Sequence, residues 1–461
     1  MITRQKIFLL FALFFLGTAI QAQTFHLRGT IPGMSNSDVF LLEDFADAQK
    51  MVDTAKTDIS GTFDFTFKKD MPVGMYRIMT PLGQVFNVIY NHENIAFEAT
   101  GLQGNDQIKV EKSIENLIYY KYLHVKSKDE LRINILMPVL HYYPPADTFY
   151  AVICHQVEKL QEETAQVTHT LIAQNPGTLA AHFIAMDQPV YPPATIPATA
   201  QEQWIKKHYL DHVDFNDTLL LRTRLFTAKL VGYLSLYQKD GMDKKAMEKA
   251  FTAPVDTLLK KARVNEKMYL FTLGYFLKGF QSFGFEHLLE HIAKTQNLSS
   301  LPGNDPEKLA LESQLQIIRR LAIGKTAPDF KAKTLKKKKI QLSKINAQHT
   351  LLVFWASWCP HCTATLPKLK KYYDPAHPEK LQVIAISVDN DRKSLEKEIK
   401  KEGYLWPNIA RLKGWDSPIA LEYGISSTPT FILLDKDKKI VAKPGNLHEL
   451  EQLLNTIEKK K

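Results

Sequence analysis

Cys359 and Cys362, separated by Pro360 and His361, are the only close pair among the three cysteines of this 461-residue chain. Thiols at positions i and i+3 lie about one helical turn apart, so one sulfur can attack a mixed disulfide formed on the other. The nucleophile in that chemistry is the thiolate, and an ordinary cysteine of pKa ~8.5 is mostly protonated at neutral pH. The residues around the pair address this. Pro360 suits the first turn of a helix, where its missing N–H costs no bond. That puts Cys359 at a helix N-terminus, where free N–H groups and the positive end of the dipole point at its sulfur. His361 adds a positive charge when protonated. A structural disulfide or half of a zinc site are the competing readings. The zinc reading lacks a second cysteine pair, and no metal is assigned. Exchange chemistry requires that Cys359 be reachable and that the pair cycle between bonded and free forms. Cys154 lies in the apolar helical stretch Ala151-Val152-Ile153-Cys154 and reads as a buried, inert thiol.

The elements that must position the pair alternate between strand and helix from Ile323 onward. Leu351 to Trp355 is a buried strand, and a helix runs from Pro360 to about Tyr373. Leu381 to Val388 is a second buried strand, followed by a Lys/Glu-rich helix from Arg392 to Lys401. The stretch Leu405 to Tyr423 is irregular. Strand Thr430 to Leu434, turn Asp435-Lys436-Asp437, strand Lys439 to Ala442 and helix Leu447 to Ile457 complete the series. A βαβ unit followed by a β-hairpin and a helix is thioredoxin-like topology.

Trp355-Ala356-Ser357-Trp358-Cys359-Pro360-His361-Cys362 resembles the active-site signature of thioredoxin-like proteins. With Ala327-Pro328-Asp329-Phe330 and Ser387-Val388-Asp389 it resembles the exported TlpA/ResA branch, over about 140 residues. The resemblance implies thiol-disulfide exchange with protein thiols and disulfides and a redox partner that donates or accepts electrons. It needs no cofactor beyond the redox-active Cys359–Cys362 disulfide. It assigns catalysis to Cys359 and Cys362, modulation of the pair to Trp358, Pro360 and His361, and substrate binding to Thr428 and Pro429. Ser427-Thr428-Pro429-Thr430 matches the cis-proline loop that faces the cysteines in thioredoxins. Two positions depart from the pattern. Val353 stands where thioredoxins carry a buried acid, and Thr365 where ResA-type relatives carry Glu, so the proton acceptor for Cys362 is not assigned. The domain layout resembles multidomain disulfide reductases of the Bacteroidetes type, which favours a reductase. Cys-Pro-His-Cys resembles strongly oxidising, DsbA-like thiol oxidases, the alternative direction. A further alternative is a chaperone or binding protein in which the redox domain is subordinate. Ala327-Pro328-Asp329-Phe330 also occurs in peroxiredoxins, but their Pro-x-x-x-Thr-x-x-Cys pattern is absent.

The rest of the chain reads as a multidomain protein. Arg4 and Lys6 precede the apolar run Ile7 to Leu16, and small residues follow up to Ala22. This describes a signal peptide over residues 1–22, hence a periplasmic or cell-envelope location and no stable membrane span after its removal. Residues 23–104 alternate as short strands broken by turns, which predicts a small, all-β, sandwich-like domain. Residues 105–322 change to helical periodicity, an all-α domain. Residues 323–461 form the α/β thioredoxin-like domain. His208 with His212, and His287-Leu288-Leu289-Glu290-His291, have zinc-site spacing; both read as polar helix faces. Tyr269, Phe271, Tyr275, Phe276, Phe280, Phe283 and Phe285 read as helical core, with a groove for unfolded polypeptide as the alternative. The net charge of +10 is concentrated after Lys325, where 26 Lys/Arg face 15 Asp/Glu. The run Lys336 to Lys339 reads as a solvated hairpin tip, and no aromatic-interleaved basic stripe points to nucleic acid.

Overall fold

The computed structural model describes residues 24–99, 108–299, 301–303 and 305–459; the expected signal peptide over 1–22 lies outside them. The chain divides between Tyr233 and Leu234 into two compact units.

The first unit opens with eight strands, β1 (Thr24–Thr30), β2 (Asp38–Phe45), β3 (Ala48–Lys56), β4 (Thr62–Lys68), β5 (Gly74–Met79), β6 (Val85–Tyr90), β7 (Ile95–Ala99) and β8 (Ile108–Lys112). They form two four-stranded sheets, β4-β1-β7-β8 and β3-β2-β5-β6. The alternation of Phe63, Phe65 and Phe67 puts all three rings on the buried face of β4, because successive side chains of a strand point to opposite faces. The sheets meet through aromatic contacts, Phe67 stacking on Tyr90 at 4.2 Å and lying edge-on to Tyr76 at 4.9 Å. This is the expected sandwich, but it runs past the expected boundary at residue 104, because β8 pairs with β7 and completes one sheet. One pairing, β1 with β7, is parallel rather than antiparallel.

Helices follow: α1 (Ile114–Tyr142), α2 (Thr148–Gln174), α3 (Leu179–Asp187), α4 (Ala198–His208) and α5 (Leu225–Ser235). Ser113, Asp147 and Thr178 cap the first three by accepting from backbone N–H groups two or three residues on, the usual use of a short polar side chain at a helix start. The first turn of α1 is tied to the sandwich by the Asn116 amide, which accepts from Ile89 N and donates to Ile89 O, both at 2.8 Å.

The second unit begins with α6 (Lys244–Ala262), α7 (Glu266–Phe283), α8 (Glu286–Thr295) and α9 (Pro306–Arg320). It continues as β9 (Lys331–Lys333), β10 (Lys339–Gln341), β11 (His349–Trp355), α10 (Pro360–Leu369), β12 (Leu381–Ser387) and α11 (Arg392–Glu402). The chain ends with β13 (Asn408–Ala410), α12 (Pro418–Glu422), β14 (Thr430–Leu434), β15 (Ile440–Ala442) and α13 (Leu447–Lys459). The main sheet has the order β13-β12-β11-β14-β15. β11 runs parallel to β12 and antiparallel to β14. Both faces are covered. Leu351, Val353 and Trp355 pack in one core, Leu352 and Phe354 in the other, which is why the strand reads as an unbroken apolar run. The helices α6–α9 gather with this thioredoxin-like fold. Glu290, on α8, accepts from Ile323 N at 2.7 Å, Lys244 pairs with Glu449 at 3.3 Å, and Lys443 pairs with Glu286. No helix among the described residues is long and apolar enough to cross a membrane.

Candidate active site

β11 ends at Trp355, and after three intervening residues the chain turns into α10 with Cys359 as its N-cap, at φ −86° and ψ 113°. In this geometry the Cys359 sulfur accepts the Cys362 N–H at 3.3 Å, so one of the unpaired N–H groups of the helix start is satisfied by the thiol itself. The turn before it is held by a carboxylate just beyond the end of the neighbouring strand β12. Asp389 is 1% exposed. It accepts from Ser357 N at 3.0 Å, Ser357 Oγ at 2.5 Å and Ser387 Oγ at 2.7 Å. Trp355 O accepts from Val388 N at 2.9 Å beside it. Sequence reasoning used Ser387-Val388-Asp389 only as a mark of resemblance and missed this clamp. An acid closing an otherwise apolar strand was the available signal.

Across from the helix start, the Cys359 thiol donates to Thr428 O at 3.4 Å. The Thr428–Pro429 peptide bond is cis. The structure therefore brings Cys359, Cys362, Thr428 and Pro429 together. In one respect it departs from expectation: Cys359 is only 5% exposed, and Cys362 is fully buried. As an N-cap, Cys359 sits recessed between its own helix turn and the Thr428 loop, so little of the residue meets solvent. Trp358 and Trp415 meet edge-to-face, 6.2 Å between ring centroids, and remain 57% and 38% exposed. Pro360 occupies the first helical position, and both it and His361 are exposed.

The two thiols are pushed apart electrostatically. Burial alone raises Cys359, but hydrogen bonds from the Cys362 and Thr428 side chains and from the backbone N–H groups of Cys362 and His361 outweigh it. The net result lies below an ordinary thiol. Cys362 is pushed up to about 12, chiefly by burial and then by its hydrogen bond to Cys359. A proton shared between the sulfurs and held on the inner one is the arrangement a nucleophile–resolver pair needs. Val353 is buried and Thr365 half-buried, so neither of the expected positions supplies an acid to Cys362.

Over 141 residues the chain is 32% identical to the thiol-disulfide oxidoreductase ResA of Bacillus thuringiensis, covering 30% of this chain and 79% of that protein. The chain belongs to the ResA family of thiol-disulfide oxidoreductases. It is an oxidoreductase with a TlpA/ResA-like domain. Residues 323–443 match the AhpC/TSA family, residues 154–280 a domain of unknown function, DUF5106, and residues 25–119 another, DUF4369. The DUF5106 match runs across the division at Tyr233. Among solved structures, a thiol-disulfide oxidoreductase from Bacteroides fragilis is 33% identical, with TM-score 0.26, covering 29% of this chain and 99% of that one. A thioredoxin-like protein from Bacteroides caccae is 21% identical, with TM-score 0.40, covering 58% of this chain and 97% of that one.

The remaining residues singled out by sequence lie elsewhere in this ResA relative. Cys154 is buried, its thiol 3.7 Å from Ala194 O. His208 pairs with Asp211 at 2.7 Å and stacks on Trp204. With His212 and Glu158 they line an open cavity of about 460 Å³ in the first unit. In the second unit the His287–His291 spacing does not converge on one point: His291 Nε2 meets Asp256 at 2.8 Å, whereas Glu290 turns to Ile323 N. Tyr269, Phe276, Phe280 and Phe285 are core, whereas Phe271 and Tyr275 are half-buried and Phe283, in the last turn of α7, is 71% exposed, against the expectation. Lys336 to Lys338 form the exposed tip of the β9–β10 hairpin, and Lys339 opens β10. Asp329 of Ala327-Pro328-Asp329-Phe330 accepts from Ser343 N at 2.8 Å and Gln341 Nε2 at 2.6 Å; these contacts brace β10.

Proposed function

We propose that the protein is an exported thiol-disulfide oxidoreductase that reduces disulfides in protein substrates through Cys359 and Cys362. The observation that carries this reading is the Cys359 sulfur at the tip of α10, bonded to the Cys362 N–H and held below an ordinary thiol. In the forward direction the Cys359 thiolate attacks one sulfur of a substrate disulfide. A Cys359–substrate bond forms, the substrate S–S bond breaks, and the departing sulfur takes a proton. Cys362 then loses its proton and attacks Cys359. The Cys359–Cys362 bond forms, the second substrate sulfur leaves as a thiol, and two electrons have passed to the substrate. A dithiol redox partner returns the pair to the reduced form, so no cofactor beyond the pair is needed. Trp358, Pro360 and His361 tune the helix tip, and Thr428 and Pro429 hold the substrate backbone. Because Cys359 is recessed, the substrate disulfide enters as an extended segment between the helix tip and that loop, and the loop gives way to admit it. The site is periplasmic or in the cell envelope if residues 1–22 are a signal peptide.

A thiol oxidase is the second reading. The lowered Cys359 favours it, because stabilising the reduced form makes the disulfide a stronger oxidant. The reduction potential of the pair decides between them. A value near ~−270 mV supports the reductase, and one near ~−120 mV the oxidase. A Cys362→Ser variant is expected to accumulate a mixed disulfide with a peptide disulfide, and Cys359→Ser to form none. Equal trapping by both variants would remove the assigned roles.

A further inference from the structure

The loop opposite Cys359 is anchored at its two ends by different parts of the second unit. On the far side, Thr430 opens β14 and pairs with Phe354 in the sheet. On the near side the anchors come from helices that precede the thioredoxin-like fold. Glu422 O accepts from Arg320 of α9, and the two side chains also approach to 4.0 Å. Gly424 has φ +58°, and a Cβ there would lie 2.7 Å from Ile317 Cγ2, again on α9. Only a residue without a side chain accepts both the left-handed backbone and that close approach. Ser426 Oγ accepts from Gln281 Nε2 of α7 at 2.9 Å, and Gln281 Oε1 in turn accepts from Gln314 of α9 at 3.4 Å. Two residues beyond Ser426, the chain reaches Thr428, whose carbonyl meets the Cys359 sulfur.

We infer that α7 and α9 brace the substrate loop from outside the thioredoxin-like fold, with Gln281 and the Gly424–Ile317 contact as its positioning elements. The inference rests on the reading of Thr428 and Pro429 as the substrate-binding loop. A loop fixed only at β14 samples more backbone positions, and ordering it must then be offset by substrate binding. The brace removes that cost before the substrate arrives. It acts on extended peptides, which hydrogen-bond to the loop backbone, and not on small disulfides that touch only the sulfur.

The test uses full-length protein with two substrates, an extended peptide disulfide and 5,5′-dithiobis(2-nitrobenzoate). Gln281→Ala removes the hydrogen bond to Ser426 together with the long one from Gln314, and is expected to raise KM for the peptide about twofold to tenfold, with kcat and the small-disulfide rate little changed. Gln281→Glu restores the peptide KM, because its carboxylate accepts from the Ser426 hydroxyl. Gly424→Ala, which forces the loop off Ile317, gives a larger rise in the same parameter. Glu286→Ala removes a contact between α8 and Lys443, away from the loop, and leaves KM as in the parent. The brace is overturned if Gln281→Ala keeps the parental KM, if both substrates slow equally, or if Glu286→Ala has the same effect. A parent protein that exchanges with neither substrate would instead defeat the underlying oxidoreductase reading.

Discussion

Two sulfurs one turn apart differ here because one terminates a helix and the other is buried in it. Cys359 is lowered by hydrogen bonds that favour the thiolate; Cys362 is raised by burial. The sign for each step follows. A depressed thiol is already ionised above its own pKa, so attack by Cys359 is expected to be flat with pH above that point and to fall as pH drops through it. A raised thiol is protonated until pH approaches its own pKa, so resolution by Cys362 should still be accelerating with pH above ~8.5, where an ordinary thiol levels off. Stopped-flow measurement of both steps between pH 5 and pH 10 checks this. A resolution rate that levels off near neutrality would mean that some group supplies the proton acceptor missing at Val353 and Thr365. The cysteines themselves were legible because a pair spaced i, i+3 after Trp358 and around a proline is chemically specific. The recess that leaves Cys359 5% exposed was not, since depth depends on a loop 69 residues away.

At the scale of elements, strand periodicity located most of the sheet residues and missed what lacks a period. β3 has no buried residue along its nine positions, so it shows no apolar alternation. The irregular stretch from Leu405 to Tyr423 contains β13 and α12, only three and five residues long, too short to show periodicity. The junction of β12, β11 and α10 depends on a side chain whose partners strand periodicity does not reveal. Asp389 gathers Ser357 N, Ser357 Oγ and Ser387 Oγ on one buried carboxylate. Asp389→Ala leaves the buried Ser387 hydroxyl and the half-buried Ser357 donors without their acceptor, and each buried unmade bond costs about 1–3 kcal/mol. We expect Asp389→Ala to lower the stability of the second unit by about 3 kcal/mol and to slow attack by Cys359. Asp389→Asn, which still accepts one of the bonds, should lose less. Chemical denaturation paired with alkylation rates of Cys359 measures both. A variant as stable as the parent would show that the turn before α10 is held by the sheet alone.

For the whole molecule, helical periodicity over 105–322 predicted one α domain, yet the chain's contacts divide at Tyr233 and place α6–α9 with the redox fold. Periodicity reports which face of a helix is apolar and not which neighbour covers it, so a boundary inside a helical series leaves no trace in composition. Its physical basis is a set of side chains far apart in sequence. Lys244 pairs with Glu449, Lys443 with Glu286, Glu290 caps Ile323 N, and Ile317 fills the space over Gly424. Elements that bury surface against one another open together. Residues 244–320 are therefore expected to lose amide protection at the same denaturant concentration as 349–459, and to gain protection with them when the cysteine pair is oxidised. Residues 24–99 should respond to denaturant on their own curve and ignore the redox state. Hydrogen exchange read by mass spectrometry along a urea series, in reducing and oxidising buffer, distinguishes the cases. If α6–α9 follow the sandwich instead, they are not part of the redox unit in solution, and the brace on the substrate loop loses its support.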